Sequence, residues 1–126
     1  MYRNGRGVQL DYAEAAMWYR KAAEQGSAQA QHNLAGLYRN GLGVQRDYPQ
    51  AVNWYRAAAE QGYGPALFNL GLMYSNGHGV PQDYAVARGW FEKAAAQGSQ
   101  KAKLSLWRLY YMGIGVQQDN VRAYMW

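Results

Sequence analysis

Cysteine is absent from the 126 residues, which removes disulfide staples, thiol nucleophiles and thiolate metal sites together. That absence does not fix the compartment, periplasm or cytoplasm. Histidine occurs only at His32 and His78, 46 residues apart with no second ligand at metal spacing, so neither a metal centre nor any other cofactor is expected. No apolar run approaches the roughly 20 residues that a membrane-spanning helix needs, and no apolar signal segment follows Met1. Membrane insertion is therefore not expected. Acidic residues are few, 8 against 13 lysines and arginines, for a net charge of +5. The excess is dispersed through Arg3, Arg20, Arg46, Arg56, Arg88 and Arg122. Its one local cluster, Lys101, Lys103 and Arg108, reads as a solvated helix face, whereas nucleic-acid binders gather such charge into a stripe. A nucleic-acid partner is not expected.

Glycine, by contrast, is abundant, and eleven of the 15 glycines fall on equivalent sites of an internal repeat. The stretch Asn40-Gly41-Leu42-Gly43-Val44 recurs as Asn4-Gly5-Arg6-Gly7-Val8, as Asn76-Gly77-His78-Gly79-Val80 and as Met112-Gly113-Ile114-Gly115-Val116, each 36 residues after the last. A fixed period of this length marks a solenoid, whose core lies between neighbouring repeats. The whole chain, 1–126, is then one array: a partial repeat 1–26, full repeats 27–62 and 63–98, and a partial repeat 99–126.

Each period predicts two helices. Asp11, Asp47, Asp83 and Asp119 are N-caps, with Glu14 completing an Asp-x-x-Glu capping box at the first, and Gly26, Gly62 and Gly98 stop the helices that follow the first three. Ser27 caps a second helix, which carries Ala30, Leu34, Leu37 and Tyr38 at spacings of three and four and ends at Asn40-Gly41, where Gly41 suits a left-handed C-terminal cap. Pro49 is tolerable in a first turn. The expected fold is all-α: a solenoid of stacked antiparallel helix hairpins. Because Tyr2 is equivalent to Tyr38, and Trp126 to Trp18, Trp54 and Trp90, the chain opens and closes in mid-repeat. Neither end offers a polar capping repeat. A longer natural protein, or end-to-end self-association through the terminal repeats, is expected.

The residues Ala30, Leu34, Ala35, Tyr38, Gly41, Gly43, Val44, Asp47, Ala51, Trp54, Ala58, Ala59 and Gly62 form a pattern that resembles the Sel-one-like repeat, a longer relative of the tetratricopeptide repeat. The resemblance covers nearly the entire chain. It implies a right-handed superhelix that holds protein complexes together, often in bacterial envelope or host-interaction roles. Some cysteine-rich bacterial members are associated with β-lactam binding or hydrolysis, so the resemblance also implies an alternative, an enzyme acting on a β-lactam or peptidoglycan-related substrate. The cysteines that link helices in those members are missing here.

Residues shared by all copies serve packing, and on that basis the tryptophans, the tyrosines and Leu34, Leu70 and Leu106 are expected in the core. A second face of the helix before each loop differs in every copy: Gln29, His32, Gly36 and Arg39; Pro65, Phe68, Leu72 and Ser75; Lys101, Leu104, Arg108 and Tyr111. Their spacing of i, i+3, i+7 and i+10 makes one stripe, which in tetratricopeptide-like stacks lines the concave groove. Gln29, His32, Arg39, Phe68, Leu72, Ser75, Lys101, Leu104, Arg108 and Tyr111 are the candidate partner-binding residues. An apolar centre of Phe68, Leu72 and Leu104 edged by Arg39, Lys101 and Arg108 has the distribution of a protein interface, suited to a partner with apolar anchors and some acidic residues. The alternative is that Phe68 and Leu104 simply pack on a neighbouring helix; Trp107 is open to both readings. No catalytic pair emerges, since the aspartates are caps and the Gly-x-Gly loop joins two helices without the strand and third glycine of a phosphate site. The expected function is that of a non-enzymatic scaffold binding a protein or peptide.

Overall fold

The computed structural model describes residues 11–111. The first and last copies of the glycine loop, and the helix expected from Asp119, lie outside them. Among the described residues there are six helices and no strand: α1 Tyr12–Glu24, α2 Ala28–Asn40, α3 Tyr48–Glu60, α4 Gly64–Asn76, α5 Tyr84–Ala96 and α6 Gln100–Tyr111. Each helix packs on the next along the chain, as a stack of hairpins requires.

The caps explain where the helices begin. Asp11, Asp47 and Asp83 each accept the backbone N–H three residues on, at 3.0, 3.0 and 3.1 Å. Each aspartate thereby satisfies an amide that the first helical turn leaves without a partner. Ser27 and Ser99 do the same for Ala30 and Ala102. The capping box at α1 forms only in its first half: Glu14 turns its carboxylate to Trp18 Nε1, at 3.4 Å, instead of back to the cap.

The Gly-x-Gly loop has a different reason for each glycine. Gly41 and Gly77 take φ of 68° and 69° as left-handed C-caps, with their amides returning to Leu37 and Met73. Gly43 and Gly79, at φ of 75° and 82°, lie against the first residues of the preceding helix of the other set. A Cβ on Gly43 would sit 2.2 Å from the Tyr12 carbonyl, and one on Gly79 would sit 2.6 Å from the Tyr48 oxygen. The loop therefore closes each repeat onto the one before it.

The core is built from alanine and aliphatic residues. Ala35, Ala51, Ala58, Ala66, Ala87, Ala94 and Ala102 are fully buried, which lets helix backbones approach, and Leu34 and Leu70 are buried with them. Leu106 is only partly covered. The expectation for the tryptophans needs correction. Trp54 and Trp90 are only partly buried at the edge of the core, and Trp18 is 58 % exposed. Lys21 lies over the Trp18 ring at 5.0 Å and Lys93 over Trp90 at 4.8 Å, the position of an amphipathic indole at a wet boundary. The aromatic column that fills the core is one residue later, where Tyr55 and Phe91 are each 1 % exposed. One helical step of about 100° is enough to exchange the two columns.

Two polar ladders fix one repeat on the next. Gln61 Nε2 donates to the Gly26 carbonyl at 2.9 Å and Gln97 Nε2 to the Gly62 carbonyl at 2.7 Å. In the second ladder, Arg20 bonds the Tyr38 hydroxyl and Arg56 the Tyr74 hydroxyl. At the third copy Glu92 replaces the arginine, and the Tyr110 hydroxyl donates to it at 2.9 Å. A hydroxyl can donate or accept, so the contact survives the reversal of charge.

Candidate protein-binding groove

Helices α2, α4 and α6 each present their variable stripe to the same side of the stack, because Leu34, Leu70 and the alanines on their other faces are consumed by the core. A cleft of about 690 Å³ opens there. His32 from α2, Pro65 and Phe68 from α4 and Lys101 from α6 line it, so stripe positions 30 or more residues apart meet in one place. A smaller hollow of about 250 Å³ adjoins it, lined by Gly36, Arg39 and Tyr55, with His32 and Asn69 bordering both.

The remaining stripe residues lie outside the cleft. Gln29 and Arg108 are exposed; Leu72 is partly buried against the core; Ser75 is half-buried, with its carbonyl accepting Gln82 Nε2 at 2.9 Å. Leu104 and Tyr111 are 52 % and 55 % exposed, and Tyr111 stacks on Trp107 at 4.7 Å. Phe68 serves both of the roles open to it. Its ring packs against Phe91 at 5.7 Å, yet it also lines the cleft.

Among the residues that the stripe omitted, Tyr63, Asn69 and Gln97 bring side chains to the cleft. Asn69 is the most consequential. It accepts from Arg39 Nη1 through Oδ1 at 3.2 Å, which orients the amide so that Nδ2 donates to His32 Nε2 at 3.0 Å. The signal for it was available: Asn33 and Asn69 occupy equivalent sites, and a residue at i+4 shares the face defined by i and i+7.

This network fixes the state of His32. An Nε2 that accepts must be unprotonated, so the neutral ring carries its proton on the buried Nδ1. Burial holds the imidazole below its ordinary value; Asn33 opposes that shift, and the Arg39 charge adds to it. His32 is packed between the rings of Tyr55 and Tyr63, at 5.5 and 5.4 Å. The Tyr55 phenol is pushed up by burial, against the smaller pull of Arg39, which makes it a weaker acid rather than a nucleophile. No group of three or more potential ligands among the described residues could hold a metal ion. The chemistry on offer is recognition: aromatic surface, amides and cations.

A stack of helical hairpins, each packed on the next, is an α-solenoid. The Sel1 repeat model matches residues 1–27, 28–63, 64–99 and 102–126, and the chain belongs to this family, whose members commonly act as protein-interaction scaffolds. No curated protein matches the chain. Among solved structures it is similar to c5321, a protective antigen present in uropathogenic Escherichia coli strains and displaying an SLR fold, with 46 % identity and a TM-score of 0.86 over 90 % of this chain and 24 % of that one. It is also similar to a Sel1 repeat protein from Oxalobacter formigenes, with 39 % identity and a TM-score of 0.82 over 90 % of this chain and 46 % of that one. Helicobacter pylori cysteine rich protein B matches at 29 % identity and a TM-score of 0.70, over 75 % of this chain and 71 % of that one. The chain thus spans less than half the length of the first two.

Proposed function

We propose that the protein is a non-catalytic scaffold that holds a segment of another protein in the groove of α2, α4 and α6. The observation that supports this most is the cleft of about 690 Å³, which gathers His32, Pro65, Phe68 and Lys101 from three successive repeats. Its size lies in the range of sites that take a compact ligand, and a few anchor side chains seated in such a pocket carry most of the energy of a protein interface.

The test is affinity capture from a bacterial lysate with the intact array, beside a Phe68→Ser, Lys101→Glu variant of matched helical content. A protein retained by the first, lost by the second and cross-linked to a photoreactive residue at position 65 supports the groove. Retention of the same protein by both arrays moves the site elsewhere, first to the exposed Leu104, Trp107 and Tyr111 surface.

A further inference from the structure

The two sets of helices differ in charge in a way that dispersal along the sequence conceals. Every acidic side chain among the described residues belongs to or caps α1, α3 or α5: Asp11, Asp47 and Asp83 are their N-caps, and Glu14, Glu24, Glu60 and Glu92 lie within them. Helices α2, α4 and α6 contain no acid at all, but carry Arg39, Lys101, Lys103 and Arg108. Of the helices whose stripes reach the cleft, α2 and α6 therefore carry net positive charge and α4 carries none.

Among the described residues none of these cations forms an ion pair. The ion pair formed among the described residues is Arg88 with Glu92, on α5. Lys101 and Arg108 are exposed, with no hydrogen-bond or ion-pair partner among the described residues. Arg39 is held by Asn69 and lies over the Tyr55 ring at 5.7 Å, so its charge is oriented but not neutralised. Beside Lys101 the cleft offers Tyr63, Pro65 and Phe68 as apolar surface.

On the reading that the groove holds a peptide segment, we infer that the segment is acidic: an extended stretch whose carboxylates meet Lys101 and Arg108 and whose apolar anchor enters the cleft beside Phe68. Charge complementarity carries this inference. A neutral or basic segment would leave three cations without counter-charge as the interface dehydrates, and like charge across an interface is a strong selector against wrong partners. A nucleic acid is the weaker fit. Its phosphates recur about every 3.4 Å along each strand, whereas Lys101 is the one lysine or arginine among the described residues that lines the cleft, beside the apolar Pro65 and Phe68.

The experiment is selection of a random 12-residue peptide library on the immobilised array, followed by fluorescence anisotropy with the selected peptides, their Asp→Asn and Glu→Gln analogues, and a mixed-sequence single-stranded oligonucleotide. Expected is enrichment of Asp and Glu, at least tenfold weaker binding of the neutralised analogues, and a tenfold or greater loss with Lys101→Glu or Arg108→Glu. Lys93→Glu, the same charge change on α5, should alter binding less than threefold. Both groove lysine and arginine positions are exposed, and their folding is checked by thermal melts.

Selected peptides that lack acidic enrichment but lose binding with Phe68→Ser would overturn the inference while leaving the groove as the site. Peptides indifferent to every groove substitution, or no selected peptide, would sink both. An oligonucleotide that displaces the peptides at equal charge concentration would overturn the inference in favour of a polyanion site.

Discussion

Asn69 on α4 donates to His32 on α2 at 3.0 Å while accepting from Arg39 at 3.2 Å, so one amide holds two stripe residues of the preceding repeat in place. The arrangement requires a neutral imidazole. Because burial lowers the folded-state value of His32 below 6.5, the folded protein binds fewer protons than the unfolded chain between the two values, and stability rises with pH there. The His32 contribution is complete above 6.5 and is lost as pH falls from that value through the folded one. A His32→Phe variant, which places at this site the residue found at the equivalent Phe68, should show a smaller drop in melting temperature between about pH 8 and about pH 5 than the parent. Parallel slopes for the two proteins would show that His32 is not coupled to folding.

The glycines predict a graded series. Gly26 and Gly98 have φ of 97° and 94°, but nothing among the described residues lies within 4 Å of the position a Cβ would take, so alanine there meets the unfavourable backbone conformation alone. That cost is about 1–3 kcal/mol. Gly43 and Gly79 add a collision with helix backbone, which cannot rotate away as a side chain can. Gly43→Ala and Gly79→Ala should therefore be more destabilising than Gly26→Ala by at least about 1 kcal/mol in urea denaturation, with the excess arising from the collision. Equal losses at all four sites would mean that loop closure onto the preceding repeat contributes nothing.

These two cases bear on how much the sequence reveals. The repeat, the two helices per period, the aspartate and serine caps and the left-handed Gly41 follow from local chemistry, and local chemistry is what a sequence displays directly. The second glycine of the loop is different, because its partner is the start of a helix about 30 residues earlier, and no local pattern names that partner. The tryptophans fail for a related reason. Trp54 and Tyr55 are adjacent, both aromatic and repeated, so periodicity identifies the pair as important without saying which faces inward. The stripe identified His32, Phe68 and Lys101, which the fold gathers into one cleft. It omitted Asn69, which shares the stripe's face at i+4 from Pro65. The division of charge between the helix sets was present in the sequence too, but became visible only once alternate helices were assigned to one side.

The corrected aromatic column gives a direct mutational contrast. Phe91 is buried at 1 % exposure and packs on Phe68, and its ring is what excludes a Cβ from Gly71, at 2.6 Å. Phe91→Ala should cost about 3–5 kcal/mol, the range for an aromatic lost from a packed core. Trp18→Ala removes a largely exposed ring whose contacts are Lys21 and a long hydrogen bond to Glu14, and should cost less than about 1 kcal/mol. Gly71→Ala should be destabilising in the parent but milder in the Phe91→Ala background, where the ring has gone. Chemical denaturation of the four proteins tests the pattern, and a Trp18→Ala loss as large as that of Phe91→Ala would restore the tryptophans to the core.

The glutamine ladder should show coupling between repeats. Gln31 is buried, donates to the Ala23 carbonyl at 3.1 Å and accepts from Gln61 Nε2 at 3.0 Å, and that same nitrogen also donates to the Gly26 carbonyl. Gln61→Ala strips an acceptor that water reaches poorly, and an unsatisfied buried polar group costs about 1–3 kcal/mol. At the equivalent of Gln31 the next repeat carries the buried Leu67, so leucine is compatible with this site. In a Gln31→Leu background the stranded acceptor no longer exists, and Gln61→Ala then loses only the bond to Gly26. The double-mutant cycle should therefore give a coupling energy of about 0.5–1.5 kcal/mol, with the second substitution costing less than it does alone. Additive losses would mean that Gln61 acts through Gly26 only, and that the buried amide of Gln31 draws no stability from the following repeat.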